Sequence, residues 1–563
     1  MKKIVVRAAE GANQTAEIGR LLRENRDDVT LVFEPKEYHF YRDGAEEGMF
    51  YPANNKYGHK FVIFYLHGCR NVTLEGNGAA FVFHDRVFPF ILQDCENVTL
   101  RGFSVDFAFP RCYSAVVEHS SEECLELFID REKYPYSVEG GVMACHTESE
   151  DIRSDKVKFF LSDYDKDVEE GTNIASIMVG DCPLPPDAFP EDGMRTDACV
   201  VRENVVRFTY RPGSPRKDYV KGHNIVFHFD EDRQYDTFFA ENCRATAWES
   251  VRVYRGCGMG LIAQFCEDIR IDGMQIRRKE GRGDLVTTTA DALMFVNCSG
   301  KVSVKNSYIA NSLDDAVNLH GLYTHIEEVL PDGLLLRLGH REQVGLDPFR
   351  AGDVLTVIGS GDLRVKEELT VLSSALQADK KHIVVQTATP PSAAAADDLA
   401  ENCGRMPEAE FIGNEFEMCP SIILATPKKV LFAHNRVHNR CAGLRVVDSP
   451  RLWYEAGRAH DVQIEDNEFI SCGEGYDEYT ICVTVNAAFG CGEEDHIHEN
   501  IRIRRNRFAA RNGKLLSAEY TRGLAFEDNE FIKSGRFRRE GETCPYRLVR
   551  CKDVSLRGNV LRF

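Results

Sequence analysis

The chain has 563 residues, 69 Lys and Arg against 89 Asp and Glu, and a formal charge of −20. Hydrophobic residues at 43% and aromatics at 10% exclude a mainly disordered chain, and the acidic balance excludes a general nucleic-acid binder, whose partner demands a basic face. No apolar run approaches the roughly 18 residues of a membrane-spanning helix, so neither nucleic acid nor a membrane span is expected.

The N-terminus, MKKIVVRAAEGANQ, offers only Ile4-Val5-Val6 before Arg7, too short for a signal-peptide core. A cytoplasmic protein is the expectation, or an exported one whose leader has been removed. TAEIGRLLRENRD, from Thr15, predicts a short helix capping the first turn of a repeat. The repeat itself begins with NVTLEGNGAAFVF at Asn71 and NVTLRGFSVDF at Asn97. It returns as DIRIDGMQI at Asp268, KVSVKNSYI at Lys301, KVLFAHNRV at Lys429 and DVQIEDNEF at Asp461, then NIRIRRNRF at Asn500, GLAFEDNEF at Gly523 and DVSLRGNVLRF at Asp553.

Each unit is a short alternating strand, a turn of Gly, Asn or Asp, and a second short strand. Alternation sends every second residue inward, as with Val462 and Ile464 or Ile501 and Ile503. Where units are consecutive the period is 26 residues (Asn71 to Asn97) or 23 (Asn506 to Asn529). Such a unit cannot bury its apolar face alone, so neighbours must stack. The solution is all-β, a parallel β-helix running from about residue 50 to the C-terminus. The turn asparagines Asn435, Asn467, Asn506, Asn529 and Asn559 are placed to form a hydrogen-bonded ladder.

The pattern lapses twice, which divides the chain into five parts: 1–110, the cap and first coils; 111–240, an inserted β domain; 241–325, the coils that carry the chemistry; 326–402, a second inserted β domain; and 403–563, the last coils. Both insertions are read as small antiparallel barrels. The 19 cysteines form no C-x-x-C pair, so buried reduced thiols are expected, with neither a disulfide framework nor structural zinc. Cys491, Asp495, His496 and His498 are read as a solvated loop.

On a β-helix, residues one coil apart lie above one another, so acids at that spacing mark the place for chemistry. Asp291, in VTTTADALMF, precedes Asp314 and Asp315, in ANSLDDAVNLHG, by one coil, Asp314 lying 23 positions after Asp291. Carboxylates packed so closely must share a proton or a cation, and glycoside hydrolysis uses such a pair as acid and base. Which of Asp314 and Asp315 faces the cleft stays open. Gln264, Asn318, His320, Trp453 and Glu455 are the candidates to hold a sugar, Trp453 as a stacking platform beside Tyr454. No metal ligand set stands out, and no cofactor is expected.

The runs around TTTADA, DDAVNLHG and WYEAGR resemble the exo-acting α-1,3-galactosidases of glycoside hydrolase family 110. The resemblance implies inverting, metal-independent hydrolases on a right-handed parallel β-helix with inserted barrel-like domains. It also implies catalytic carboxylates among Asp291, Asp314 and Asp315, with Glu455 a further candidate, and a partner glycan ending in α-linked galactose, as in blood-group-B-type structures. The sequence departs from the family at Leu293-Met294 and at EMCPSIILATP. A polygalacturonase-like hydrolase is the second reading, although no Gly-His-Gly or Arg-Ile-Lys occurs in the catalytic half. A β-helix lyase would want calcium and a Lys or Arg base, and no clear calcium cluster is seen; a non-catalytic glycan-binding β-helix is the further reading. The sequence permits a homo-oligomer.

Overall fold

The computed structural model describes the chain apart from residues 1, 56, 111, 147–150, 155, 162–193, 212–218, 220, 223, 230–233, 452, 474–477, 486–495, 511–512, 534–543 and 563. Two long, predominantly parallel sheets, of 23 and 13 strands, stack coil upon coil around one apolar core. Asn71, Asn97, Asp268, Asp461, Asn500 and Asp553, the first residues of their units, all have φ between 51 and 57°. This left-handed conformation clashes with most side chains but is tolerated by Asn and Asp. At Gly300, just before the unit from Lys301, and at Gly523, glycine takes the role.

Val462, Ile464, Ile501 and Ile503 point inward and are fully buried, and Val462 pairs in parallel with Ile501. The asparagine ladder forms, and it reaches one rung further than the sequence indicated. Asn414, Asn435, Asn467, Asn506 and Asn529 each donate a backbone N–H and Nδ2 to the Oδ1 of the next asparagine, at 2.8–3.1 Å. On the opposite turn, Cys69, Cys95, Cys243, Cys266 and Cys298 form a column of buried free thiols. Three of them donate to carbonyls one coil below, Cys95 to Leu66, Cys266 to Ala240 and Cys298 to Ala263.

The coils begin well before residue 50. Lys2–Val6 pairs in parallel with Val29–Phe33, and that strand pairs with the one beginning at Arg70. The missed signal was DVTLVF at Asp28, a left-handed aspartate followed by the same alternation. The predicted helix forms at Thr15–Glu24 and buries Ile18, Leu21 and Leu22.

Both insertions leave and rejoin the stack in register. Phe90 pairs directly with Phe238, and Val317 with Ile422. Between them sit two closed, six-stranded antiparallel barrels, the first built from strands between Tyr113 and Phe229, the second from strands between Thr324 and Glu401. The first keeps a core of its own around Leu125, Leu127 and Phe208, whereas Leu334, Leu336 and Leu355 of the second join the core of the coils. The second barrel is therefore welded to the body that carries the acids.

Cys491 and Asp495 lie outside the described residues. His498 corrects the solvated-loop reading. It opens the strand His498–Arg504 and is fully buried, with Nδ1 accepting from the Ala459 N–H at 3.2 Å and Nε2 donating to Thr484 O at 3.0 Å. Burial holds its pKa down at about 4.

Candidate active site

Asp291 stands just before the strand Leu293–Val296, and Asp315 stands just before the next rung, Val317–Leu322. Pairing of Leu293 with Val317 and Met294 with Asn318 puts Asp315, not Asp314, in register with Asp291. Two hydrogen bonds fix that stacking: Ala292 N–H donates to Asp315 O at 2.8 Å, and Asp315 N–H donates to Asp291 Oδ1 at 3.2 Å. The sequence spacing left Asp314 and Asp315 both open; the coil step of 24 selects Asp315.

Asp314 stays beside the pair, because the turn brings its Oδ1 within 3.2 Å of the same Asp315 N–H. A carboxylate oxygen from each of the three acids lies within 4.8 Å of the others. The sequence offered no metal ligand set, but among the described residues folding assembles one candidate, since three carboxylates this close can share either a proton or a cation. Asp291 is buried and the other two are half-buried. The Asp315 carboxyl is pushed well above the ordinary carboxylate range, first by burial and then by the Asp314 charge, with Glu455 adding to it; Arg445 and Arg440 offset part of the rise. One acid is thus set to keep a proton.

Glu455 arrives on a two-residue strand that pairs antiparallel with Gly321–Leu322. Its Oε1 accepts from Asn54 Nδ2 at 2.8 Å and from Asn318 Nδ2 at 3.3 Å, and faces His320 Nε2 at 3.5 Å. His320 Nδ1 lies 2.7 Å from Gly321 O. A carbonyl can only accept, so Nδ1 carries the hydrogen and Nε2 is left to Glu455. Asn318, His320 and Glu455, singled out from the sequence, therefore meet at one carboxylate oxygen, and that carboxylate acts on Asp315.

Gln264 is committed to contacts within the protein. It is fully buried, its Oε1 accepts from Ala53 N–H at 2.9 Å, and its Nε2 donates to Tyr51 O at 3.1 Å and Glu241 Oε1 at 2.7 Å. Every polar atom of this side chain is spent on fixing the segment 51–55. Trp453 packs against the second barrel, its ring 4.9 Å from that of His340 and its carbonyl accepting from Gln343 Nε2 at 3.0 Å.

Sequence reasoning missed Asn54, Asn55 and Asp236. Asn54 has φ 52°, and its N–H donates to Glu342 O of the second barrel at 3.0 Å. Asn55 Nδ2 donates to Asp236, whose Oδ1 also accepts from Met259 N–H at 2.7 Å. Asn54 lies 401 residues from Glu455, in a polar segment with no repeat signature, and no local signal could have found it.

No family model matches the chain. Curated relatives do match it. The α-1,3-galactosidase A of Shewanella woodyi is 26% identical over 543 residues, covering 94% of this chain and 85% of that protein. The chain resembles the α-1,3-galactosidases. The α-1,3-galactosidase B of Bacteroides thetaiotaomicron is also 26% identical, over 550 residues, with the same shares of each chain. Among solved structures, an endo-xylogalacturonan hydrolase from Aspergillus tubingensis gives a TM-score of 0.37 at 7% identity, covering 99% of this chain and 93% of that one. The galactosidase resemblance rests on sequence, and the fold rests on the rung pairing described above.

Proposed function

We propose that the chain is an exo-acting α-galactosidase that hydrolyses terminal α-1,3-linked galactose from glycans. The observation that carries this reading is the stacking of Asp291 and Asp315, with Asp314 beside them and Asp315 set to hold its proton. Asp315 gives that proton to the glycosidic oxygen as the bond to the galactose anomeric carbon breaks. An ionised Asp291 or Asp314 takes a proton from the water that attacks the same carbon. The proton lost by water replaces the one given to the leaving group, so the site returns to its starting charge after one proton is passed between the carboxylates.

Attack by water from the opposite face inverts the anomeric centre, in keeping with the resemblance. One distance favours a second reading. Inverting enzymes commonly separate their carboxyl groups by about 6.5–9.5 Å and retaining ones by about 5–5.5 Å, and oxygens within 4.8 Å sit nearer the second range. In that reading, Asp291 or Asp314 attacks the anomeric carbon directly and a covalent galactosyl ester is hydrolysed in a second step.

The test is time-resolved proton NMR of sugar released from p-nitrophenyl α-galactoside and from an α-1,3-galactosyl oligosaccharide. First-formed β-galactose establishes inversion, and first-formed α-galactose establishes retention. Release of galacturonate from galacturonides with no action on α-galactosides would overturn the proposal.

A further inference from the structure

Asn54 and Asn318 each spend Nδ2 on Glu455 Oε1, so each Oδ1, one amide's width away, faces elsewhere. Both Oδ1 atoms and His320 Nε2 are buried without a hydrogen-bond partner. The side chains themselves are closed off, Asn54 at 5%, Asn318 at 6% and His320 at 0% exposure. An unsatisfied buried polar atom costs roughly 1–3 kcal/mol. Three of them, on side chains gathered round one carboxylate next to the acids of the candidate site, call for a ligand that brings hydrogen-bond donors.

The chemistry of that ligand follows from the wall. The two amide oxygens and the carboxylate are all acceptors, and His320 Nε2 stands beside them, 3.5 Å from Glu455 Oε1. Neutral hydroxyl groups satisfy them. A uronate would present its own carboxylate to the same acceptors and be repelled. We infer that Asn54, Asn318, His320 and Glu455 form the wall that reads the hydroxyl groups of the galactosyl ring, with Asn54 a specificity-determining residue supplied by the N-terminal coils. The inference rests on the galactosidase reading and names the groups that make it selective. Gln264 serves the wall indirectly by holding Ala53 and Tyr51, and the second barrel serves it by receiving the Asn54 N–H.

The experiment measures kcat/KM for an α-galactoside and its 2-, 3-, 4- and 6-deoxy analogues with the wild-type enzyme and with Asn54→Gly. Glycine accepts the left-handed backbone and removes the whole side chain, amide included. In the wild type, at least one deoxy position should lose on the order of 10-fold or more, the scale of a polar group left unpaired in a buried site. In N54G that particular penalty should shrink to less than about 3-fold while the others persist. If N54G fails to fold, Asn318→Ser, on an ordinary strand, removes the other unpaired amide oxygen and should erase the penalty at its own ring position. Unchanged deoxy profiles in the folded variants would mean that the wall holds an ordered water only and would overturn the inference, as would a wild type that prefers amino-galactosides or galacturonides. A wild type inactive on every α-galactoside would defeat the galactosidase reading itself, and the two failures are thus distinct.

Discussion

At the residue scale the chemistry turns on where one proton sits. Burial and the Asp314 charge both raise the Asp315 pKa, while Asp291 accepts the Asp315 backbone N–H at 3.2 Å. Asp315→Asn should therefore lower kcat by roughly 10²–10⁴-fold, the usual worth of a positioned acid, with a circular dichroism spectrum like that of the wild type. Because the acid works only when protonated, wild-type activity should fall as pH rises through the raised pKa, and this basic limb should be missing from the residual activity of D315N. Asp448 offers a separate check on burial. It lies behind the site, accepts from the Tyr323 hydroxyl at 3.1 Å, and is pushed by burial, and next by Glu401, from 3.8 up to about 7. The folded chain holds this proton more tightly than the unfolded chain, so its contribution to stability is fully present below the ordinary value and is lost as pH climbs towards about 7. Asp448→Asn should remove that slope. Urea unfolding at about pH 5 and about pH 8 compares the two proteins, and an equal loss between the two pH values in both would refute the assignment.

At the element scale most coils open on a left-handed Asn, Asp or Gly and continue as two short strands joined by a turn, tied to their neighbours by ladders. Much of this was legible, because the positions that need a left-handed backbone or an amide ladder admit few residue types. Asn435 through Asn559 could be read that way from the sequence. Asn414 could not, since the second barrel separates its coil from the previous one. Nor could counting residues choose between Asp314 and Asp315, because turn lengths vary while strand pairing sets the register, and the step proved to be 24 rather than 23. The ladder should be worth most in its middle. Asn467→Ala strands the Asn435 N–H and Nδ2 and the Phe432 carbonyl and should cost on the order of 3 kcal/mol. Asn559→Ala, at the exposed end of the ladder, should cost about 1 kcal/mol. Equal effects in urea unfolding would mean that burial along the ladder does not govern its strength.

At the scale of the whole molecule the candidate site draws on segments that only folding brings together. Asn54 comes from the first coils, Asp291 and Asp315 from the middle, Glu455 from beyond the second barrel, and that barrel braces Asn54 through Glu342. This is why the acids, with Asn318, His320 and Glu455, were legible and Asn54 was not: the acids repeat at a coil step and the others lie in polar motifs beside apolar runs, while Asn54 shares no period with Glu455, 401 residues away. If the three carboxylates share a proton, treatment with EDTA should leave turnover unchanged; activity lost to EDTA and restored only by calcium or another divalent cation would assign the trio to a metal instead. The most direct measurement is the initial rate of galactose release from galactosyl-α-1,3-galactose by wild-type protein and by D315N prepared in parallel. Stacked acids acting as a glycosidase predict rapid release by the wild type and a loss of at least about 100-fold in the folded variant. No release by the wild type, or equal release by both, would contradict it.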